Sequence, residues 1–292
     1  MNHHTLNTIK VNSSHGTSSL CHMHYALCIA LALMFLLLAP NAEARKKQKK
    51  GEPEVALLVP DKEAYKYKAM PDTHFAPKAE PRIMHTRYGH GKPLHGIDIS
   101  HHQGTINWSE TAKDPKAGYV YIKATEGRDH VDDTYAFNVR EARRYGLKVG
   151  AYHFFRPNVS AADQFRNFTG IVDKKKQDLI PLVDVEVTGG VAVSTMLVRL
   201  EELLQMLTRE YGVKPLIYTG RNFYNKYIGP YSQFKGYKFM IAQYTTDEPV
   251  LMNDDDYVIW QYTGHGSIRG IRGSVDQSCF HGYHTISEIL YK

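Results

Sequence analysis

From Leu94 onward one short pattern recurs eight times, and this recurrence limits the possible folds more than any other feature of the chain. Apolar or alternating runs of strand length occupy 94–100, 119–125, 148–155, 179–187, 215–220, 238–244, 257–263 and 273–280. Helical patterns fill the early gaps: Ala136, Val139 and Ala142 up to Gly146, then Phe165, Phe168 and Val172. The clearest helix carries Leu197, Leu200, Leu203, Leu204, Leu207 and Tyr211 on one stripe, with Ser194 as its expected N-cap and Gly212 as its stop. Successive strand starts lie 25, 29, 31, 36, 23, 19 and 16 residues apart. The last intervals are too short for a strand, a crossover helix and two loops. An α/β fold follows, with a parallel sheet closed into a single TIM-like barrel: about five βα units, then three barely decorated strands.

The first strand runs into Gly96-Ile97-Asp98-Ile99-Ser100-His101-His102-Gln103-Gly104, which has the spacing of neither a dinucleotide fingerprint nor a P-loop. Nucleotide chemistry is therefore not expected. With 42% hydrophobic and 23% charged residues, the chain has an ordinary globular balance. Basic residues outnumber acids by 36 to 30, but Arg45, Lys46, Lys47, Lys49 and Lys50 form a local run, leaving residues 51–292 at 30 against 29. The surplus is a tail and not a face for nucleic acid, so no such partner is expected.

Ahead of the barrel, residues 25–39 form an apolar run too short for a comfortable membrane span, followed by Pro40, Ala42, Glu43 and Ala44. Residues 1–44 are read as a signal peptide cleaved after Ala44 or as an uncleaved membrane anchor. Met23 would start a compact leader, whereas the basic run after the apolar stretch resists translocation. Either version implies export to the periplasm, the envelope or the medium, with the membrane met only through this segment. Residues 45–93 read as a basic, Pro-rich linker, and 94–292 as the functional barrel; Pro53, Pro60, Pro71, Pro77, Pro81 and Pro93 mark an extended tether. Cys21 and Cys28 belong to the leader, so Cys279 is read as a small buried apolar residue without a disulfide.

In a barrel of this kind chemistry gathers where strands end, so acids inside apolar strands matter most. Four qualify: Asp98, Asp184, Glu186 and Asp276. Asp184 and Glu186 are two apart on one strand, which puts both on one face with Cα atoms roughly 6.5–7 Å apart, while Val183, Val185 and Val187 take the other. Repulsion and desolvation then favour a neutral acid beside a charged partner, the arrangement that glycosidic bond cleavage requires. The competing structural reading pairs these acids with Lys123, Arg156 or backbone amides.

These residues resemble glycoside hydrolase family 25, the Chalaropsis-type lysozymes or N-acetylmuramidases. The resemblance runs from Gly96 to about Phe280 through Gly96-Ile97-Asp98-Ile99-Ser100, Ile122-Lys123-Ala124-Thr125-Glu126-Gly127, Val149-Gly150-Ala151-Tyr152-His153-Phe154, Val183-Asp184-Val185-Glu186, Ile217-Tyr218-Thr219, Trp260-Gln261-Tyr262 and Gly273-Ser274-Val275-Asp276. It implies a (β/α)5(β)3 barrel that hydrolyses the β-1,4 bond between N-acetylmuramic acid and N-acetylglucosamine in peptidoglycan, as a monomer and with neither a metal nor another cofactor. Glu186 is then the catalytic acid, assisted by Asp184, with Asp98 and Asp276 lining the site. Tyr152, Tyr218, Tyr262 and Gln261 are expected to bind substrate, and Trp260 to be core. Two departures bear on subsite detail: Phe239-Met240-Ile241-Ala242 lacks the usual tryptophan, and Gln277 follows Asp276 where asparagine is common.

Two other readings compete. Asp98, His101, His102 and His153 suggest a metal-dependent polysaccharide deacetylase, and a barrel of this fold can also serve as a noncatalytic wall-binding module. Retention of all four acids argues against the second.

Overall fold

The computed structural model describes residues 94–292, so the leader (1–44) and the linker (45–93) lie outside the described residues. Nine strands form one sheet: β1 His95–Ile99, β2 Tyr119–Glu126, β3 His130–Val131, β4 Lys148–Phe154, β5 Leu182–Asp184, β6 Leu216–Gly220, β7 Lys238–Ala242, β8 Ile259–Gly266 and β9 Val275–Phe280. Their order is β1-β9-β8-β7-β6-β5-β4-β2-β3, and a further β1–β2 pairing closes eight of them into a barrel, with β3 added outside on β2. All neighbours around the ring are parallel except β9, which runs antiparallel to both β8 and β1.

Helices α1 Trp108–Thr111, α2 Tyr135–Arg144, α3 Ala161–Ile171, α4 Val193–Tyr211 and α5 Arg221–Phe223 occupy the first five connections. Only single 3-10 turns and loops decorate the connections after β7, as the shrinking strand intervals require. Helix α4 buries its leucine stripe and stops at Gly212, whose φ of 70° is left-handed. It starts two residues earlier than expected: Ala192 is the N-cap position, and Ser194 lies inside the first turn.

Alternation along the strands sorts side chains into two cores. Val183, Val185, Ile217, Ile241 and Trp260 face outward and pack with α4 and its neighbours, whereas Tyr119, Tyr121, Leu182, Leu216, Ile259 and Phe280 fill the interior. Two inward glycines make this filling possible. A Cβ on Gly96 would stand 2.2 Å from the Tyr119 ring, and one on Gly150 would stand 2.4 Å from Tyr121. The interior is therefore a packed floor, and room for chemistry exists only above it, at the ends where the parallel strands finish.

Strand β5 is shorter than its sequence pattern suggests, because Pro181 offers no N–H at its start and regular pairing ends at Asp184. Glu186 thus lies just past the strand, at the mouth. Val185 still donates to the Tyr218 carbonyl at 2.9 Å, which carries the backbone onward in line.

Candidate active site

Above the aromatic floor, the inward positions of seven strands carry Asp98, Lys123, Tyr152, Asp184, Tyr218, Gln261 and Asp276. Asp184 is 8% exposed, and its Oδ1 has no hydrogen-bond partner among the described residues. Burial, followed by the charges of Glu186 and Asp98, pushes its carboxyl well above the ordinary range, while Lys123 opposes. Glu186 is exposed to solvent. Its carboxyl is raised by desolvation among the mouth residues, against the pull of Tyr218, Lys123 and Arg156. Both carboxyls are thus shifted upward, with the stronger shift on the inner residue, Asp184.

The cations named as alternative partners of these acids are held elsewhere. Glu126 accepts Lys123 Nζ at 2.6 Å and takes the Arg156 guanidinium through Nε at 2.8 Å. Burial alone would raise the Glu126 carboxyl, but the two cations outweigh it and hold it low. Lys123 therefore faces the acids without neutralising either one in a direct ion pair. Sequence reasoning missed this bracket, because Glu126 follows an inward-outward alternation that a bulge between Lys123 and Thr125 disturbs.

On the opposite wall, Asp98 and Asp276 are cross-strand partners in the β1–β9 register and hydrogen-bond to each other. Gln261 Nε2 donates to Asp98 Oδ2 at 2.9 Å, while Gln261 Oε1 accepts the hydroxyls of Tyr218 at 2.9 Å and Tyr244 at 2.7 Å. Burial raises Asp98 to about 6, with the Gln261 bond opposing. Burial and then the Asp98 charge push Asp276 up to about 9. Tyr152 also points in among the acids, and burial together with Asp98 and Asp184 keeps its phenol well above the ordinary range.

Tyr262 is a correction. It neighbours Gln261 on β8, so it faces outward, where it is 3% exposed, bonds His95 Nδ1 at 2.9 Å and Gln277 Oε1 at 3.2 Å, and stacks edge-on with Trp260. It does not meet the acids. Trp260 is fully buried and donates to the Gln243 carbonyl at 2.9 Å, as expected of core. The aromatic that does reach the mouth is Tyr244, 49% exposed and just past β7, where strand alternation gives no guidance.

The histidines of the metal reading do not converge. His153 projects from the other face of β4 to Thr125 Oγ1 at 2.7 Å and Gln164 Oε1 at 3.1 Å, fully buried beneath α3. His101 is held by Asp132 at 2.9 Å instead of turning toward Asp98.

Comparison with known proteins is informative once this geometry is in view. The sequence profile of the glycosyl hydrolases family 25 matches residues 97–271. The chain belongs to that family. Among similar proteins, the Escherichia coli K12 protein YegX is 36% identical over 203 residues, covering 67% of this chain and 72% of that protein. Lysozyme M1 of Streptomyces globisporus is 30% identical over 201 residues, covering 65% of this chain and 68% of that protein. A solved family 25 glycosyl hydrolase from Bacillus anthracis superposes with a TM-score of 0.60 at 30% identity, over 70% of this chain and 96% of that one. The family 25 profile begins at Ile97, beside Asp98, and ends before β9, so Asp276 is placed by the barrel closure and not by the profile.

Proposed function

We propose that this family 25 glycosyl hydrolase is an exported muramidase that cleaves the β-1,4 bond between N-acetylmuramic acid and N-acetylglucosamine in peptidoglycan, with Glu186 as acid and Asp184 assisting. The name of the Streptomyces relative, a lysozyme, supports the substrate class. One observation carries the assignment of roles: the buried Asp184 keeps an oxygen without a hydrogen-bond partner among the described residues, two positions from the exposed Glu186.

A substrate acetamido group placed there gives Asp184 the N–H donor it lacks. That bond favours the Asp184 anion, so the proton of the coupled pair passes to Glu186. Glu186 protonates the departing sugar oxygen as the acetamido oxygen closes on the anomeric carbon, and Asp184 holds the acetamido N–H. Water then opens the cyclic intermediate, giving its proton to the Glu186 carboxylate and restoring the acid. Tyr152, Tyr218 and Gln261 line the sugar site, and Tyr244 offers a ring at its rim. The apolar run at 25–39 and the proline-rich tether support delivery to the wall, where the barrel acts as a monomer.

The experiment is digestion of purified peptidoglycan with mass spectrometry of the released muropeptides. Wild-type protein is expected to give muramic acid reducing ends, and Glu186→Gln to fold normally while losing at least about a thousandfold in their release. Glucosamine ends, deacetylated products or wild-type turnover by Glu186→Gln would overturn the proposal.

A further inference from the structure

Asp98 and Asp276 pose a problem that the cleavage reaction alone does not answer. They stand directly opposite in an antiparallel pair, a position where two like charges repel strongly. Two carboxyl groups can share a hydrogen bond only if one of them carries a proton. The surroundings decide which one. The oxygen of Gln261 is occupied by the hydroxyls of Tyr218 and Tyr244, so its amino group is the end that faces Asp98. An N–H donor stabilises a carboxylate more than a neutral acid, whose carbonyl oxygen accepts more weakly. Among the described residues no amide acts comparably on Asp276, which lies on the last strand of the ring, facing Asp98 across the seam.

We propose that Asp276 is a neutral hydrogen-bond donor to an ionised Asp98, and that Gln261 is the positioning residue that fixes this polarity. The inference rests on the muramidase reading only for its use: an acid mouth with one anion fewer, and that anion aimed at the positive charge that develops on the sugar. The groups facing the pair agree with it. Glu186 from the β5 side adds negative charge that disfavours a second anion, the Asp184 carboxyl is itself held toward its neutral form by burial, and Tyr152, Tyr218 and Tyr244 add only neutral phenols. Lys123 acts on Asp184 and Glu186, and Arg156 on Glu186, while both are bonded to Glu126; neither is among the groups that shift Asp98 or Asp276.

Carboxyl 13C NMR of the full chain labelled at aspartate tests this without substrate, with the two signals assigned through Asp98→Asn and Asp276→Asn. At pH 7 the Asp276 signal is expected at the neutral position and the Asp98 signal at the ionised one, with two well-separated titration steps. In Gln261→Leu the first step should rise by about one pH unit and approach the second. The acid limb of kcat/KM on peptidoglycan should move up with it, a shift that mere loosening of the wall would not produce. Both carboxyls ionised at pH 7, the proton found on Asp98, or an unchanged first step in Gln261→Leu would each overturn the inference. If Gln261→Leu fails to fold, the wild-type titration alone decides. Absence of reducing ends from wild-type protein would instead count against the muramidase reading and leave the titration result standing.

Discussion

At the scale of single residues, Asp184 shows how an active mouth is maintained at a cost in stability. Its carboxyl is held well above the ordinary range chiefly by burial, so the folded state binds a proton that the unfolded chain gives up. The sign follows: stability is lost as pH rises from the ordinary carboxylate value toward the folded one. Asp184→Asn removes that cost while keeping the shape, and it is expected to raise the melting temperature at pH 7 relative to wild type. The same variant should be strongly impaired in releasing reducing ends, yet less completely than Glu186→Gln, because an amide retains part of the hydrogen bonding. A lower melting temperature, or an activity below that of Glu186→Gln, would contradict this account. The paired acids were legible in the sequence because a period of two is unambiguous inside Pro181-Leu182-Val183-Asp184-Val185-Glu186. The same rule argues against assigning both Gln261 and Tyr262 to one face, since adjacent strand residues point apart. Tyr244, by contrast, follows a strand end, and no local pattern aims it at the mouth.

At the scale of elements, the floor of the barrel ties small residues to large ones across neighbouring strands. The Tyr121 ring fills the space above Gly150 and is anchored by its hydroxyl to the Ile180 carbonyl at 3.2 Å, so it cannot swing aside. Gly150→Ala is expected to destabilise the fold by about 1–3 kcal/mol through overpacking, measured by urea unfolding. Leu200→Ala on the buried stripe of α4 should cost about 2–5 kcal/mol for the opposite reason, an unfilled cavity. Unfolding midpoints equal to wild type would show that these contacts relax freely. The strands and α4 could be read in advance because each carries several turns of its period. Two elements could not: β3 has two residues, too few for any periodicity, and the start of α4 lacks the side-chain cap that Ser194 promised.

At the scale of the whole molecule, opposing titrations set how stability varies with pH. His153, sealed between β4 and α3, is lowered from its ordinary 6.5 to about 4, chiefly by burial. Its contribution is present above 6.5 and is lost as pH falls toward about 4, a change of roughly 3 kcal/mol. The raised mouth acids work in the other direction, losing stability as pH climbs from the ordinary carboxylate range to about 9 for Asp276. Three raised acids outweigh one histidine, so urea midpoints should fall from about pH 5 to 9, and His153→Gln should steepen the fall below pH 6.5, where the histidine offsets part of it. Midpoints that rise across this range would overturn the balance. The number of βα units was legible because chain length between strands limits what can fit there, whereas the direction of β9 was not, since an inward-outward pattern reads the same both ways. That direction has a consequence during translation. The ring is sealed by β9, which lies against β1 and supplies Asp276 to the mouth. A nascent chain still inside the ribosome at residue 275 thus has an open seam and an incomplete set of acids, and the catalyst comes into being only when its final strand emerges.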